Sequence, residues 1–91
     1  MQDEGIEFLT NYIKNNNVKQ ILEIGTAVGY SSIKMALINK NINITTIERD
    51  EVRYKEAIAN ITKMNLNNQI KCIKGDALEI ELNDKYDLIF I

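Results

Sequence analysis

The sequence predicts an α/β domain, a parallel sheet with helices on both faces, and three observations carry that expectation. Segments with helical apolar spacing alternate with short β-branched runs along the whole chain. Strands separated by helical crossovers pair in parallel and wind right-handedly. The glycines and several acids fall just past the strand-like runs, where open sheets of this class bind ligands. At 91 residues the chain has the size of one small domain.

Each element has its own signature. From Asp3 to about Asn15, Ile6, Phe8, Leu9, Tyr12 and Ile13 recur mostly at helical spacing and predict an amphipathic helix. Asn15–Asn17 and the later "NLNN" (Asn65–Asn68) read as turns, because asparagine tolerates left-handed backbone and bonds its own main chain. "QILEI" (Gln20–Ile24) is a short strand. A second helix is expected from about Ser31 to Asn39, with Ile33, Ala36 and Leu37 on one face and Ser31 or Ser32 able to cap its start. "NITTIE" (Asn43–Glu48) is rich in β-branched residues and reads as a strand. Tyr54, Ala57, Ile58, Ile61 and Met64 mark a third helix over roughly Glu51–Met64, with Asp50 as its cap. "QIKCIK" (Gln69–Lys74) alternates as a strand does, Ala77–Asn83 is a short helix or turn, and "YDLIFI" (Tyr86–Ile91) is the last strand.

That last run is apolar on both faces, the mark of a strand buried inside a sheet. The sequence stops at Ile91, before any crossover that would cover this strand or neighbour that would pair with it. Exposed apolar edges recruit other chains. The expectation is therefore the first part of a longer domain, or one that a partner chain completes.

Composition removes several classes of function. A formal charge of −2 without a basic block does not point to nucleic acid or an anionic membrane. No apolar run reaches the ~18 residues of a membrane span, and the N-terminus "MQDEGIEFL" is acidic rather than signal-like. The single cysteine, Cys72, excludes an internal disulfide and fits a reducing compartment, so the cytoplasm is expected; on its strand Cys72 reads as a small core residue. Histidine and tryptophan are absent, which excludes imidazole-based triads and zinc sites for these residues. Chemistry here has to use carboxylates, hydroxyls, backbone groups or a bound cofactor.

The candidate site lies at the strand ends. Gly25 and Gly29 bracket the loop between the first strand and the second helix. Glycine permits positive φ and lets a ligand approach the main chain, and the following helix start suits a carboxylate or phosphate. The plain alternative is a tight turn without a ligand. Glu48 ends the second strand 23 residues after Gly25 and can accept both hydroxyls of a ribose; otherwise it is a solvated strand-end acid. Asp76, past the third strand, can accept from an adenine amino group, or simply share a turn with Gly75. Glu23 sits among strand formers and needs a partner, either loop N–H groups or a ligand ammonium. A dinucleotide fingerprint needs a middle glycine to admit the pyrophosphate. Here the run is Gly25-Thr26-Ala27-Val28-Gly29, so a ligand with a carboxylate in place of the pyrophosphate fits better. S-adenosylmethionine, with amino acid, ribose and adenine in line, is such a ligand.

"ILEIGTAVGYSSIKMA", "TTIERD", "IKGDALE" and "YDLIFI", in that order and spacing, resemble the class I S-adenosylmethionine-dependent O-methyltransferases of the catechol and caffeoyl-CoA type. Bacterial members of this family include the methyltransferases of 5-hydroxyuridine in tRNA. The resemblance covers nearly the whole chain. It implies a Rossmann-like fold, here its S-adenosylmethionine-binding N-terminal part over residues 1–91, ending after the fourth strand. It implies that Gly25 lies against the cofactor, that Tyr30 and Ser31 approach its methionine end, and that Glu48 holds the ribose, with Ile47 and Arg49 flanking the adenosine. Asp76 and Ala77 match the segment beside adenine. Tyr30 otherwise reads as a packing aromatic, and Ser31 as a helix cap. Family members also use a divalent metal such as Mg and a catalytic lysine, on a D-A-x-K-like run and later segments that this sequence lacks. No catalytic or metal-binding residue is therefore expected within it. The implied reaction transfers a methyl group to a hydroxyl of a catechol-like small molecule or of tRNA, and a homodimer is open. An NAD-dependent oxidoreductase domain and an inactive, partner-completed module are the alternatives.

Overall fold

The computed structural model describes residues 3–26, 29–76 and 85–90. Three helices and four strands follow in the order α1 (Asp3–Asn15), β1 (Gln20–Ile24), α2 (Tyr30–Ala36), β2 (Asn43–Glu48), α3 (Glu51–Lys63), β3 (Ile70–Lys74) and β4 (Leu88–Phe90). The strands form one sheet in the order β3-β2-β1-β4, and every neighbouring pair is parallel. The chain steps outward from β1 to β3 and then returns to the other side of β1. The loop after β1 thus leaves the sheet where the strand order reverses, the position at which open parallel sheets bind ligands. The expected segment Ala77–Asn83 lies outside the described residues.

Register explains the face that matters. Ile21 pairs with Ile44, and Ile44 with Ile70. Two residues further on, Glu23 pairs with Thr46, and Thr46 with Cys72. Side chains alternate along a strand, so these two rows share one face. At the amino ends the face is apolar, and Ile21, Ile44 and Ile70 pack there with Met35 and Ala36 of α2 and Ile61 of α3. Toward the carboxyl ends the same face turns polar, through Glu23, Thr46 and then Glu48. Helix α2 repeats this gradient at helical spacing, with Ser31 and Ser32 in its first turn and Met35 and Ala36 in its last.

Several boundaries differ from expectation for identifiable reasons. Helix α2 stops at Ala36 rather than Asn39. The Gln69 side-chain amide takes the carbonyls of Ala36, Asn39 and Ile42, each at 3.0 Å, and folds the chain back toward β2. The cap of α2 is Gly29 at φ 86°, without a side-chain cap bond. Ser31 and Ser32 do not cap the helix, because both hydroxyls are spent elsewhere. Asp50 does cap α3, accepting from the Arg53 N–H at 2.9 Å. Strand β4 begins at Leu88 rather than Tyr86. Just before it, the Asp87 carboxylate accepts from the N–H groups of Lys19 and Gln20, both at 2.9 Å, tying β4 to the start of β1. Ile89 is exposed, so the apolar character of β4 is not matched by burial within the described residues.

Candidate cofactor site at the strand ends

Gly25 and Gly29 turn out to do different work. Both have positive φ, 91° and 86°. A Cβ on Gly29 would sit 3.5 Å from Ala57 of α3, so this glycine makes the turn where α2 meets α3. A Cβ on Gly25 would meet none of the described residues within 4 Å. Gly25 therefore opens onto free space beside the tip of β1. Its N–H does not face that space, since Gly25 and Thr26 both donate to the Ile47 carbonyl, at 2.8 and 3.3 Å. Gly25 offers bare main-chain surface rather than its amide.

The acids that sequence reasoning singled out are brought together by neighbouring strands. Glu48 is 5% exposed at the tip of β2, and the Asp50 N–H donates to its Oε2 at 3.0 Å, which sets the plane of the carboxylate. The Gly75 N–H donates to the Glu48 carbonyl at 3.0 Å, so the Gly75-Asp76 corner of β3 lies beside Glu48. Asp76 is half-buried. Tyr30 is exposed, with the Lys34 ammonium 5.4 Å from its ring centroid. Of the residues that the resemblance places around adenosine, Ile47 is buried and Arg49 exposed. Ala77 lies outside the described residues.

Glu23 is the surprise. It is 2% exposed, and its partners among the described residues are side-chain hydroxyls. The Ser31 hydroxyl donates to its Oε2. Ser32 and Thr46 donate to its Oε1, at 2.5 and 2.7 Å. Thr26 lies 2.5 Å from Thr46, and the Cys72 thiol donates toward Thr26 at 3.9 Å. Burial, with the Glu23 and Glu48 carboxylates nearby, pushes the Cys72 thiol up, and the Thr26 hydroxyl only partly offsets this. Sequence reasoning passed over Ser32, Thr46 and Thr26 as network members. The available signal was the alternation from Ile44 through Thr46 to Glu48, which puts a hydroxyl on the face of an acid. Among the described residues no group of three His, Cys, Asp or Glu side chains could hold a metal ion.

The open main-chain surface at Gly25, the anchored acid at Glu48 and the adjoining Asp76 corner form a row across three strand tips, two strand spacings of ~4.8 Å wide. Such a row suits an elongated polar ligand laid across the strand tips. The profile of the O-methyltransferase family matches residues 1–91. This chain belongs to that family. A solved protein assigned as a caffeoyl-CoA O-methyltransferase from Staphylococcus aureus is 43% identical to this O-methyltransferase chain, with a TM-score of 0.94 over 98% of it and 44% of that protein. The O-methyltransferase from Bacillus cereus, solved in complex with SAH, is 30% identical, with a TM-score of 0.86 over 98% of this chain and 44% of that one. The catechol O-methyltransferase of Niastella koreensis is 38% identical over an alignment of 80 positions that covers 80% of this chain and 36% of that protein. This family chain thus spans less than half the length of these relatives. The nicotinamide alternative finds no support in these matches.

Proposed function

We propose that residues 1–91 are the S-adenosylmethionine-binding part of an O-methyltransferase. The observation that carries this reading is the pairing of an open glycine tip with an anchored, nearly buried carboxylate on the next strand. Gly25 leaves room against the main chain, and Glu48 is held by the Asp50 N–H. A ribose supplies two adjacent hydroxyls, and a carboxylate whose plane is already set binds them with little loss of rotamer freedom. Asp76 stands one strand further out, on the adenine side; Ala77 is assigned there by resemblance alone. Ser31 and Tyr30 stand at the start of α2, on the side of the methionine end, with Glu23 behind Ser31.

When bound, S-adenosylmethionine supplies a sulfonium-activated methyl group. The residues of this chain hold and orient that donor, and an acceptor hydroxyl must approach it in line, so positioning is the catalytic contribution of this segment. The acceptor class that fits the catechol and caffeoyl-CoA relatives is a small hydroxylated molecule; the hydroxyl of 5-hydroxyuridine in tRNA is the finer alternative. Metal dependence is proposed from the resemblance alone, as no described residues form a donor set for a cation. A homodimer and a cytoplasmic setting belong to the same proposal. For the location, the supporting observation is that no described helix is long and apolar enough to cross a membrane.

Titration calorimetry with S-adenosylhomocysteine tests the reading. Glu48→Ala is expected to weaken binding about 10- to 100-fold, the worth of hydrogen bonds to a charged acceptor. Unchanged affinity would overturn the assignment.

A further inference from the structure

The hydroxyls around Glu23 are not equivalent. As a carboxylate, Glu23 only accepts, and each hydroxyl has one proton to give. Ser31 spends its proton on Oε2, while Ser32 and Thr46 spend theirs on Oε1. With the Thr46 proton committed, Thr26 must be the donor in the 2.5 Å contact between the two threonines, and the Cys72 thiol stands behind Thr26 as the next donor. The chain of donors runs in one direction, from β3 through the loop and β2 to Glu23. Ser32 and Thr46 are sealed, both at 0% exposure, whereas Ser31 at 8% reaches the surface beside the glycine loop.

A buried carboxylate holds its last donor tightly, because losing it leaves an unsatisfied charge. Glu23 retains two sealed donors on Oε1 whatever Ser31 does. We infer that Ser32 and Thr46 are positioning residues for the amino-acid end of the bound ligand. They keep the Glu23 charge partly satisfied through Oε1, so that the Ser31 hydroxyl can turn from Oε2 to the ligand at a lower cost than it could from a carboxylate with no other donor. The inference rests on the S-adenosyl reading given above, and adds to it a residue pair that acts on the ligand only through Ser31.

The test compares two ligands on the full chain by titration calorimetry. S-adenosylhomocysteine carries the amino-acid end, and 5′-methylthioadenosine lacks it. Ser32→Ala and Thr46→Val are expected to weaken S-adenosylhomocysteine about tenfold, the scale of one hydrogen bond to a charged group, and to leave 5′-methylthioadenosine within about twofold. Thr46→Ser, which keeps the hydroxyl, is expected to bind both ligands as the wild type does. Thr46→Val preserves side-chain shape, and Ser32→Ala removes a single atom, so either variant serves if the other fails to fold. Equal weakening of both ligands, or of neither, would overturn the inference while leaving the S-adenosyl reading intact. A wild-type chain that binds neither ligand would overturn both.

Discussion

At the residue scale, the chemistry of this site is set by how few groups are left to water. Glu23, Thr46 and Glu48 occupy the polar end of a face whose other end is isoleucine. Each is tolerated there because it is hydrogen-bonded, and no buried side-chain nitrogen or oxygen among the described residues lacks a partner. Cys72 reports on this environment. Its thiol is raised above the ordinary value of 9.0, first by burial and further by the two carboxylates. The folded protein therefore carries less thiolate than the unfolded chain near that pH. Alkylation of Cys72 by iodoacetamide at pH 8 should be slower in the native protein than in urea, since thiolate is the reactive form. Equal rates would contradict the burial of this corner. The linked stability is fully present below the ordinary thiol value and is lost as pH rises through the higher folded one.

At the scale of elements, most helix and strand positions were legible because their signals are local. The spacing of Ala57 and Ile61, the β-branched run of β2 and the Asp50 cap each act over a few residues. Where the end of an element depended on a distant side chain, the sequence misled. Gln69 lies 33 residues from Ala36, and nothing near α2 announces that its last carbonyl will be claimed from the turn before β3. Helix α3 offers the clearest test. Removing the bond from the Asp50 carboxylate to the Arg53 N–H, with Asp50→Ala, should cost about 1 kcal/mol. In a domain of this size that corresponds to a fall of roughly 4–8 °C in thermal midpoint. Asp50→Ser should recover most of it, because serine also accepts at this position. An unaltered midpoint would mean that the cap contributes nothing. The backbone N–H of Asp50 still serves Glu48 in both variants, so ligand affinity should fall far less than stability.

At the scale of the whole molecule, the sheet is closed on the β4 side by an electrostatic tie as well as by strand pairing. Asp87 accepts from the N–H groups of Gln20 and Lys19, and these bonds hold its carboxyl below the usual value of 3.8. A carboxyl with a lowered folded value adds stability above the ordinary range and loses it as pH falls through the lowered one. The difference in urea midpoint between wild type and Asp87→Asn should therefore be largest near neutral pH and narrow toward pH 3. A difference independent of pH would show that the charge is irrelevant to the tie. This contact joins residues 68 and 67 positions apart, so it could not be read from either segment alone.

The sequence by itself determined the order of the elements, the parallel α/β class and the acids and glycine at the strand tips, because periodicity and turn chemistry are written in adjacent residues. Only the tertiary structure decided which partner each polar group would take. The threonines are spread through the chain and the two serines stand together at Ser31 and Ser32, and nothing local says which of these hydroxyls will face Glu23. The pairing of Glu23 with Thr46, and the seating of the first turn of α2 above them, brought three hydroxyls onto one buried acid. Burial made that choice binding, since a carboxylate withdrawn from water has to be satisfied by whichever donors the packing brings within reach.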